Sequence, residues 1–353
     1  MLQDTWKTRL FRFAHLQAYG QPTQHATASQ SSRTILGRTL YKRKPMTQSS
    51  HWLNQIKGEV RSSEMMSQHT SLRIGGPADL FILPQDLDDL KLILRNHGVT
   101  PLFFLGEGSN LLISDKGVRG IVVSLKRGFK KITLPEFFNN PQDEECAILK
   151  VGAGVKMSYL AKFAAKYGLT GIETLVGVPG SLGGALIMNA GAEGTEIGDV
   201  VKNITVLRKD GDLVTYDREQ LVFEYRKTTF PEKPCVIVYA ELELKSGDAA
   251  EIQGRIDDYL KKRSQTQPLS LPNSGSVFKN PEGMKAGKLI EQAGLKGFTV
   301  GEASVSIKHA NFIVNKGEAS ASDVHSIIGH VQETVKEQFN VELKTEVIIA
   351  GDW

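Results

Sequence analysis

The chain has 353 residues, of which 40% are hydrophobic and 23% are charged, enough for a large core divided into two or three domains. No apolar run approaches the roughly 20 residues of a membrane span, so no span is expected and the protein is predicted to be soluble and cytoplasmic. Residues 1–45 carry eight Lys or Arg against Asp4 alone, so residues 46–353 carry −3 of the net +4, and nucleic-acid binding is not expected.

Residues 1–58 are predicted to form a basic, disordered extension. Its first 45 residues are rich in Gln, Ser, Thr and Arg, poor in acids, and lack the continuous apolar core of a secretory signal. Two alternatives stay open, an organelle-targeting segment and a start of translation at Met46.

The first predicted helix covers Gln85–His97, where apolar residues recur on one face and Gly98 ends the run. A first glycine loop follows at Leu105–Leu112, between an apolar run and a strand-like segment. Gly106 and Gly108 are not followed by a third glycine that opens a helix, so the loop does not match the Rossmann fingerprint. A different nucleotide-binding fold is indicated.

Strand-like runs at Gly120–Val123 and Ile148–Val151 precede a second predicted helix, Lys156–Tyr167. A second glycine loop spans Gly171–Glu196, with glycines placed singly and in pairs between apolar runs. Without a Cβ, such residues let backbone N–H groups face a bound phosphate. Either loop alone is equally well explained as a tight turn, but together they favour a dinucleotide.

The last third contains a strand-like run at Val236–Tyr239 and a charged helix around Asp248–Lys262, which leads into the proline-punctuated loop Gln267–Pro272. This passage is interpreted as a domain boundary. Ser322 is predicted to cap a further helix with apolar residues at 3.6 spacing, and Thr345–Ile349 is predicted to be a strand. Helices and strands mix without strict alternation, which predicts an α+β chain.

Cys146 and Cys235 are predicted to be buried thiols in a reducing compartment, because neither has metal-ligand spacing and one pair in so long a chain does not indicate a disulfide framework. None of the eight histidines forms a ligand cluster in sequence, so no metal site is expected. Structural or supporting roles are predicted for His69 and His309.

Five motifs occur in a fixed order: GEGSNLL at Gly106–Leu112, GVPGSLGGALIMNAGA at Gly177–Ala192, YRKTTF at Tyr225–Phe230, NSGSVFKNP at Asn273–Pro281 and HANFIVN at His309–Asn315. In these motifs the chain, from about His69 to Ala350, resembles the UDP-N-acetylenolpyruvoylglucosamine reductases. The resemblance implies reduction of UDP-N-acetylglucosamine enolpyruvate to UDP-N-acetylmuramate, in peptidoglycan precursor synthesis, with bound FAD and with NADPH as hydride donor.

The resemblance also implies an architecture. Two subdomains, 59–128 and 129–245, are expected to form an FAD-binding fold of the vanillyl-alcohol-oxidase type. A smaller α+β substrate-binding domain, 246–353, is expected to return its C-terminal strand to the active site. The stretch Arg226–Lys233 is short, as in the branch of the family that lacks a tyrosine-bearing loop. Which residue closes over the sugar nucleotide is left open.

Reducing an enol ether next to a carboxylate requires a hydride at one carbon, a proton at the other, and groups that hold the enolate-like charge. The resemblance implies that Ser276 donates the proton, that Arg226 holds the carboxylate and the developing charge, and that Glu346 orients the substrate and assists protonation. By residue type alone these would be a turn serine, a surface arginine and an outward-facing strand glutamate.

Further contacts follow from the same motifs. Both glycine loops are expected to hold the FAD pyrophosphate, through backbone amides wherever an N–H is present, at Gly106, Gly108, Ser109, Asn110, Gly177, Pro179, Gly180, Ser181, Gly183 and Gly184. The residues expected near the isoalloxazine are Asn189, Ala190 and Gly191. Lys279 and Asn280 are expected to contact the sugar nucleotide, and Arg263 and Gln267 its phosphates or the acid.

Two rival functions are weighed against this reductase. One is an oxidase of the same flavin fold that acts on an alcohol or sugar; such enzymes often tether the flavin through a histidine in the glycine loop, and Gly106–Asn110 contains none. The other is a flavin or nucleotide sensor without turnover, which would need the glycine loops but not Ser276, Arg226 and Glu346.

Overall fold

The computed structural model describes residues 50–142, 144–232 and 236–353. Contacts between Cα atoms divide the chain between Asn54 and Gln55, and the description below concerns Gln55–Trp353. Most of the predicted extension, including Met46, lies outside the described residues, as does Cys235.

The described part contains nineteen strands, six α-helices and five short 3-10 helices. The strands are β1 Glu59–Met65, β2 Pro77–Leu83, β3 Leu102–Leu105, β4 Leu111–Ile113, β5 Val118–Ser124, β6 Glu136–Asn139, β7 Glu145–Gly152, β8 Leu169–Thr170, β9 Gly191–Ala192, β10 Thr195–Glu196, β11 Val201–Leu207, β12 Leu213–Asp217, β13 Val222–Glu224, β14 Lys227–Thr229, β15 Val236–Ser246, β16 Thr299–Val300, β17 Ala303–Val305, β18 Ile313–Asn315 and β19 Ile348–Ala350. The helices are α1 Leu87–Asn96, α2 Met157–Lys166, α3 Leu182–Ile187, α4 Ala249–Thr266, α5 Ala286–Gln292 and α6 Ala321–Phe339; the 3-10 helices are Ser50–Gln55, Met66–His69, Glu173–Gly177, Ile197–Val200 and Arg218–Gln220.

The first sheet has the strand order β1-β2-β5-β3, with β2, β5 and β3 parallel and β1 antiparallel to β2. Asp86 caps α1 by accepting a hydrogen bond from Asp89 N, and Gly98 follows the helix with a φ of +59°, so the predicted helix is confirmed. The first glycine loop lies at the carboxyl end of β3. In sheets with parallel strands, this is the edge where ligands bind.

The second sheet is antiparallel, in the order β12-β11-β15-β7-β6, with β8 paired to β15. Helix α2 confirms the second predicted helix. Ala161 and Ala165 of α2 share a buried cluster with Ile252 and Ile256 of α4. Helix α4 thus confirms the predicted charged helix, and its apolar face packs against α2. The division at residue 246 stays a prediction.

The last region combines the antiparallel sheet β16-β17-β18 with α5 and α6. Its core contains Val277, Phe278 and Ile327 and also takes in Leu72 and Leu112 from the N-terminal part. Burial of these side chains fixes the NSGSVFKNP segment against the strand that follows the first glycine loop.

Helix α6 begins at Ala321, and its N-cap is Ser320. The Ser320 hydroxyl accepts a hydrogen bond from Asp323 N while the Asp323 carboxylate accepts one from Ser320 N, a complete capping box. The predicted cap, Ser322, is therefore wrong by two residues. Its hydroxyl instead donates to Asp115, a residue of the loop that connects β4 to β5.

The predicted strand Thr345–Ile349 is confirmed only at its end, since β19 begins at Ile348 and pairs parallel with β4. Before it, the amides of Glu346 and Val347 both donate to Val277 O. Because these two amides share one carbonyl oxygen, the segment does not form the regular strand pairing that the sequence predicted.

The α+β prediction is confirmed by this mixture of three main sheets and flanking helices. Cys146 is buried and free, as predicted. Within residues 50–142, 144–232 and 236–353, no helix combines the length and apolar character that crossing a membrane requires.

Candidate functional site

The two glycine loops lie directly against each other. The Ser109 hydroxyl donates to Pro179 O at 2.9 Å. A Cβ on Gly106 would lie 2.6 Å from Ser181 Oγ, and one on Gly180 would lie 3.0 Å from Ser109 Oγ. The missing Cβ atoms of Gly106 and Gly180 allow this close approach of the two loops.

The first glycine loop presents backbone donors that the protein itself does not use. Gly108 has a φ of +65°, and a Cβ there would overlap the carbonyl oxygen of His69. Across this turn, the amides of Glu107, Gly108, Ser109 and Asn110 have no hydrogen-bond partner among the described residues. Consecutive unpaired amides in a glycine turn form a concave site for an anion.

A cavity of about 330 Å³ opens between the loops. It is lined by Val176–Gly180, by the hydroxyl-bearing residues Ser71, Ser109 and Ser158, and by Glu107 and Lys156. Lys156 Nζ lies 3.3 Å from Glu107 Oε2, a pairing that neutralises the acid. Hydroxyls, free amides and a lysine suit the pyrophosphate of a dinucleotide, so the residues present fit an FAD. Lys156 and the serines Ser71 and Ser158 were not predicted from the sequence.

The remaining glycines of the second loop serve the protein backbone. A Cβ on Gly183 would lie 3.0 Å from Ala153 Cβ, and Gly183 N donates to Ala153 O. The amide of Gly183 is therefore not free to face a pyrophosphate, contrary to the prediction. Gly177 closely approaches the Arg263 side chain, whose Nη1 would lie 2.9 Å from a Cβ at Gly177. Gly184 lies in α3.

Asn189 is fully buried, and its side chain is used within the protein. Its Nδ2 donates to Glu196 Oε2 and to Glu224 O, and its Oδ1 accepts from Gly198 N. These bonds tie the end of the second glycine loop to the β13–β14 hairpin, so any contact of Asn189 with a flavin falls to its backbone. In the same segment Ala190 N donates to Ala185 O, and Gly191 pairs with Glu196 across β9 and β10.

Arg226 and Glu346 form an ion pair although 120 residues separate them in the sequence. Arg226 Nε donates to Glu346 Oε1 at 2.7 Å, and the side chains are 20% and 15% exposed. Arg226 sits at the tip of the hairpin with a φ of +58°, a backbone conformation that non-glycine residues seldom adopt and that is enriched at functional sites. Its Nη2 lies 3.5 Å from Gly191 O, at the end of the second glycine loop.

The Glu346 backbone is held from two sides. Its amide donates to Val277 O, and its carbonyl accepts from Asn110 Nδ2 at the end of the first glycine loop. Because Val277 follows Ser276 directly, the structure brings Ser276, Arg226 and Glu346 into one neighbourhood. Burial raises the pKa of the Glu346 carboxyl above its ordinary value, and the cations Arg226 and Lys279 oppose that shift.

Asn311 positions the segment that carries Ser276. Its side chain accepts from Phe278 N and donates to Phe278 O, and its carbonyl accepts from Val277 N. Asn311 is buried, with 4% of its surface exposed, so these bonds are shielded from water. Asn311 belongs to the HANFIVN motif, but no role was predicted for it from the sequence. An asparagine between apolar residues was the available indication.

The predicted substrate contacts divide into two groups. Lys279 lies beside Glu346, whereas Asn280 Oδ1 accepts from Ala286 N at the start of α5. Arg263 and Gln267 lie one turn apart at the end of α4. The Arg263 guanidinium makes no ion pair or side-chain hydrogen bond with any described residue, burial lowers its pKa, and Gln267 Oε1 is buried without a partner. Unpaired polar groups of this kind suit an anionic or polar ligand.

Comparison with known proteins defines the class first. A family model described as an FAD binding domain matches residues 78–217, a range that contains both glycine loops up to Glu196. The chain is therefore a flavoprotein, with FAD as its cofactor. A second model, described as the C-terminal domain of UDP-N-acetylenolpyruvoylglucosamine reductase, matches residues 267–350, the range that holds Ser276 and Glu346.

Similarity to individual proteins extends over most of the chain. The UDP-N-acetylenolpyruvoylglucosamine reductase of Clostridium novyi (strain NT) is 42% identical over 298 residues, covering 84% of this chain and 94% of that protein. The same enzyme of Agathobacter rectalis is 44% identical over 293 residues, covering 82% and 93%. A crystal structure of the reductase from Thermus caldophilus has a TM-score of 0.70 at 34% identity and covers 83% of this chain and 99% of that one. The chain belongs to the UDP-N-acetylenolpyruvoylglucosamine reductase family, which confirms the resemblance.

Proposed function

We propose that this protein catalyses the NADPH-dependent reduction of UDP-N-acetylglucosamine enolpyruvate to UDP-N-acetylmuramate, a step of peptidoglycan precursor synthesis. The observation that carries the proposal is the Arg226–Glu346 ion pair beside Ser276, at the point where both glycine loops end. Bound FAD supplies the hydride-transfer chemistry that no side chain has, with NADPH as the reductant. The cytoplasmic location stays a prediction.

The residues proposed to hold the FAD pyrophosphate are those that leave donors free. They are the amides of Glu107–Asn110, the amides of Gly180 and Ser181, and the Lys156 ammonium. Donors that are already oriented bind an anion without the cost of rearranging the loop. Of the other predicted contacts, Gly106 and Pro179 contribute to the close packing of the loops, Gly177 approaches the Arg263 side chain, and Gly184, Ala190 and Gly191 stay predictions.

Arg226 is proposed to bind the substrate carboxylate and to stabilise the enolate-like charge that develops next to it. Its Nε is bonded to Glu346, while its Nη1 makes no hydrogen bond to the described residues. The planar fork therefore still offers donors to a carboxylate. Because the side chain is only 20% exposed, this charge acts in a site with little water, where electrostatic stabilisation is stronger.

Ser276 is proposed to give the proton to the carbon that does not receive the hydride. Its hydroxyl makes no hydrogen bond to the described residues and is free to reach a ligand. A serine hydroxyl is a weak acid, so its proton transfer needs neighbours that balance the charge. Glu346, held beside Ser276 by its bond to Val277 O, together with Arg226, supplies that balance.

For the sugar nucleotide, the unpaired Arg263 and the neighbouring Gln267 are proposed to meet its phosphates or the acid. Lys279 is proposed to contact the same substrate from the side of Glu346, since its charge already acts on that carboxyl. Asn280 keeps its amide nitrogen available, because among the described residues its side chain is bonded only through Oδ1, to Ala286 N. These assignments place four polar groups around the substrate of the proposed reaction.

The test is an anaerobic titration of the purified protein followed by its visible spectrum. NADPH is expected to bleach the flavin absorbance, and the enolpyruvyl sugar nucleotide is expected to restore it. A protein that retains no FAD, and so stays colourless once the unbound FAD has been removed, contradicts the proposal. Rapid recovery with oxygen, without consumption of the enolpyruvyl compound, would point to an oxidase of the same fold.

Ser276→Ala separates the two halves of this titration. Bleaching by NADPH is expected to be unchanged, whereas recovery with the enolpyruvyl compound slows by about 10²- to 10⁴-fold, the usual contribution of a general acid. Ser270→Ala, at an exposed serine of the preceding loop, is the matched control. Equal recovery rates in Ser276→Ala and the parent would remove Ser276 as the acid.

A further inference from the structure

A second, smaller cavity borders the first glycine loop. Its volume is about 160 Å³, and it is lined by Gln68–Ser71, Gly106–Glu107 and Lys126. It shares Ser71 and Glu107 with the larger cavity between the loops. A ligand in the larger cavity therefore has a polar extension available to it on the far side of Glu107.

Lys126 is a half-buried cation that lacks a carboxylate partner. Its Nζ lies 2.9 Å from His69 Nδ1 and 5.7 Å from the centre of the Phe81 ring. No carboxylate oxygen of the described residues lies within 4.0 Å of it. Burial lowers the pKa of Lys126, the expected result for an ammonium without a counter-ion. An unpaired charge in this setting indicates an anionic ligand.

His69 and Glu64 fix the position of this ammonium. A lysine ammonium only donates, so His69 Nδ1 accepts from it and the ring proton lies on Nε2, which donates to Glu64 Oε1 at 2.8 Å. The ring stacks on Phe81 at 4.2 Å. Burial lowers the pKa of His69, in keeping with the neutral tautomer that this geometry requires. The ammonium is thus held in place while two of its N–H groups stay free.

We propose that Lys126 binds a phosphate group of a dinucleotide in this cavity, with His69 and Glu64 as positioning residues. The proposal rests on the proposed function, which supplies two dinucleotides. The free amides of Glu107–Asn110 begin at the same cavity wall and suit the same anion. The one acid in the wall, Glu107, is paired with Lys156 and acts on Lys126 only from beyond 4.0 Å, so the Lys126 ammonium keeps donors for the ligand.

Two sources of the phosphate are distinguishable, the pyrophosphate of FAD and the ribose phosphate that distinguishes NADPH from NADH. The first arm measures FAD binding to flavin-free protein by fluorescence quenching. The second measures the saturation of anaerobic flavin bleaching by NADPH and by NADH. Lys126→Gln is expected to weaken, by roughly 10- to 100-fold, either FAD binding or NADPH saturation, the scale of a lost charged hydrogen bond.

Matched variants separate charge from folding. Lys126→Arg keeps the charge and is expected to recover most of the affinity, whereas Lys130→Gln removes an exposed lysine four residues away and is expected to change neither constant. Thermal unfolding of each variant establishes that the fold is retained. If the NADPH arm is the one affected, NADH saturation is expected to stay unchanged.

The positioning role of His69 has its own readout. His69→Phe keeps a ring against Phe81 but removes both hydrogen bonds, and a several-fold loss of affinity is expected. Placed on Lys126→Gln, the same substitution is expected to cost nothing more, because the ammonium it positions is gone. Additive losses would make His69 merely structural and overturn that part of the proposal.

The outcomes also separate this inference from the proposed function. Unchanged FAD and NADPH constants in a folded Lys126→Gln protein overturn the Lys126 site and leave the reductase intact. A wild-type protein that neither binds FAD nor responds to NADPH overturns both.

Discussion

The glycine loops and the Arg226–Glu346 pair are two halves of one site, and they use different groups: backbone amides in the loops and charged side chains in the pair. The loops offer backbone amides; their close contact uses the missing Cβ atoms of Gly106 and Gly180, and the missing Cβ of Gly108 allows a close approach to His69 O. The ion pair joins two side chains from segments 120 residues apart. Damage to the first half is expected to affect cofactor binding and stability, and damage to the second to affect turnover mainly, with only a small effect on stability.

Among the substitutions that compare the two halves, those at Arg226 are expected to have the largest effect. Arg226→Ala removes the fork proposed to stabilise the developing charge, and kcat is expected to fall by about 10²- to 10³-fold, as for other preorganised donors. Arg226→Lys keeps the charge without the fork and is expected to recover only part of this loss. Steady-state kinetics with the enolpyruvyl sugar nucleotide measures both, and fluorescence titration checks that the FAD dissociation constant is unchanged.

Arg218→Lys is the matched control for Arg226. Arg218 flanks the same hairpin, but its guanidinium bonds Gly198 O and Leu221 O and lies over the Phe223 ring, away from Glu346. The kcat of the Arg218→Lys variant is expected to stay near that of the parent. A large loss of FAD affinity in Arg226→Ala would contradict the division of the site into two halves.

A smaller effect, of the opposite kind, is expected from Gly108→Ala. The new Cβ would meet the carbonyl oxygen of His69 at a φ of +65°, so the loop must move and its free amides move with it. We expect FAD binding to weaken by at least about tenfold and the free energy of unfolding to fall by about 2–3 kcal/mol. Fluorescence titration and urea unfolding measure the two quantities.

Gly98→Ala separates backbone strain from steric overlap. Gly98 has a similar φ of +59°, but apart from its two chain neighbours no described residue has an atom within 4 Å of the position its Cβ would take. A loss of about 1 kcal/mol in stability with unchanged FAD affinity is expected from conformational strain alone. Equal effects at Gly98 and Gly108 would show that the close approach to His69 is unimportant.

The same division explains what could be predicted from the sequence. The glycine loops and the helices were predicted, because both follow from local spacing. The pattern could not tell a glycine that opens space for a ligand from Gly183, which packs on Ala153. Ser276 does follow a turn glycine with a φ of +75°, so residue type alone could only describe it as a turn residue.

Side-chain contacts between residues far apart in the sequence could not be predicted, because no local sequence pattern indicates them. Arg226 resembled any surface arginine until the fold placed it on Glu346, and only the family resemblance predicted its role. The hydrogen-bond series from Glu64 through His69 to Lys126 was not predicted for the same reason. Its three residues come from β1, the adjoining 3-10 helix and the segment after β5. Backbone sites are local in sequence, whereas side-chain networks are assembled by the fold.

The smallest expected effect is a pH dependence of stability at Glu346. Burial raises the pKa of this carboxyl above its ordinary 4.5, so the folded protein keeps the proton to higher pH than the unfolded chain does. The folded state then binds more protons, and its stability relative to Glu346→Gln is greatest below pH 4.5 and declines as pH rises through the raised pKa. Arg226 and Lys279 oppose the shift, which keeps the effect small.

Urea unfolding of the parent and Glu346→Gln between about pH 4 and 8, at one fixed FAD concentration, measures this decline. Glu333→Gln removes an exposed carboxyl on α6 and serves as the control; its difference from the parent is expected to be flat over the same range. A parent that gains stability relative to Glu346→Gln as pH rises would mean that Arg226 and Lys279 outweigh burial. Glu346 would then be an ordinary charged partner of Arg226, with its carboxylate stabilised in the folded protein by these two cations.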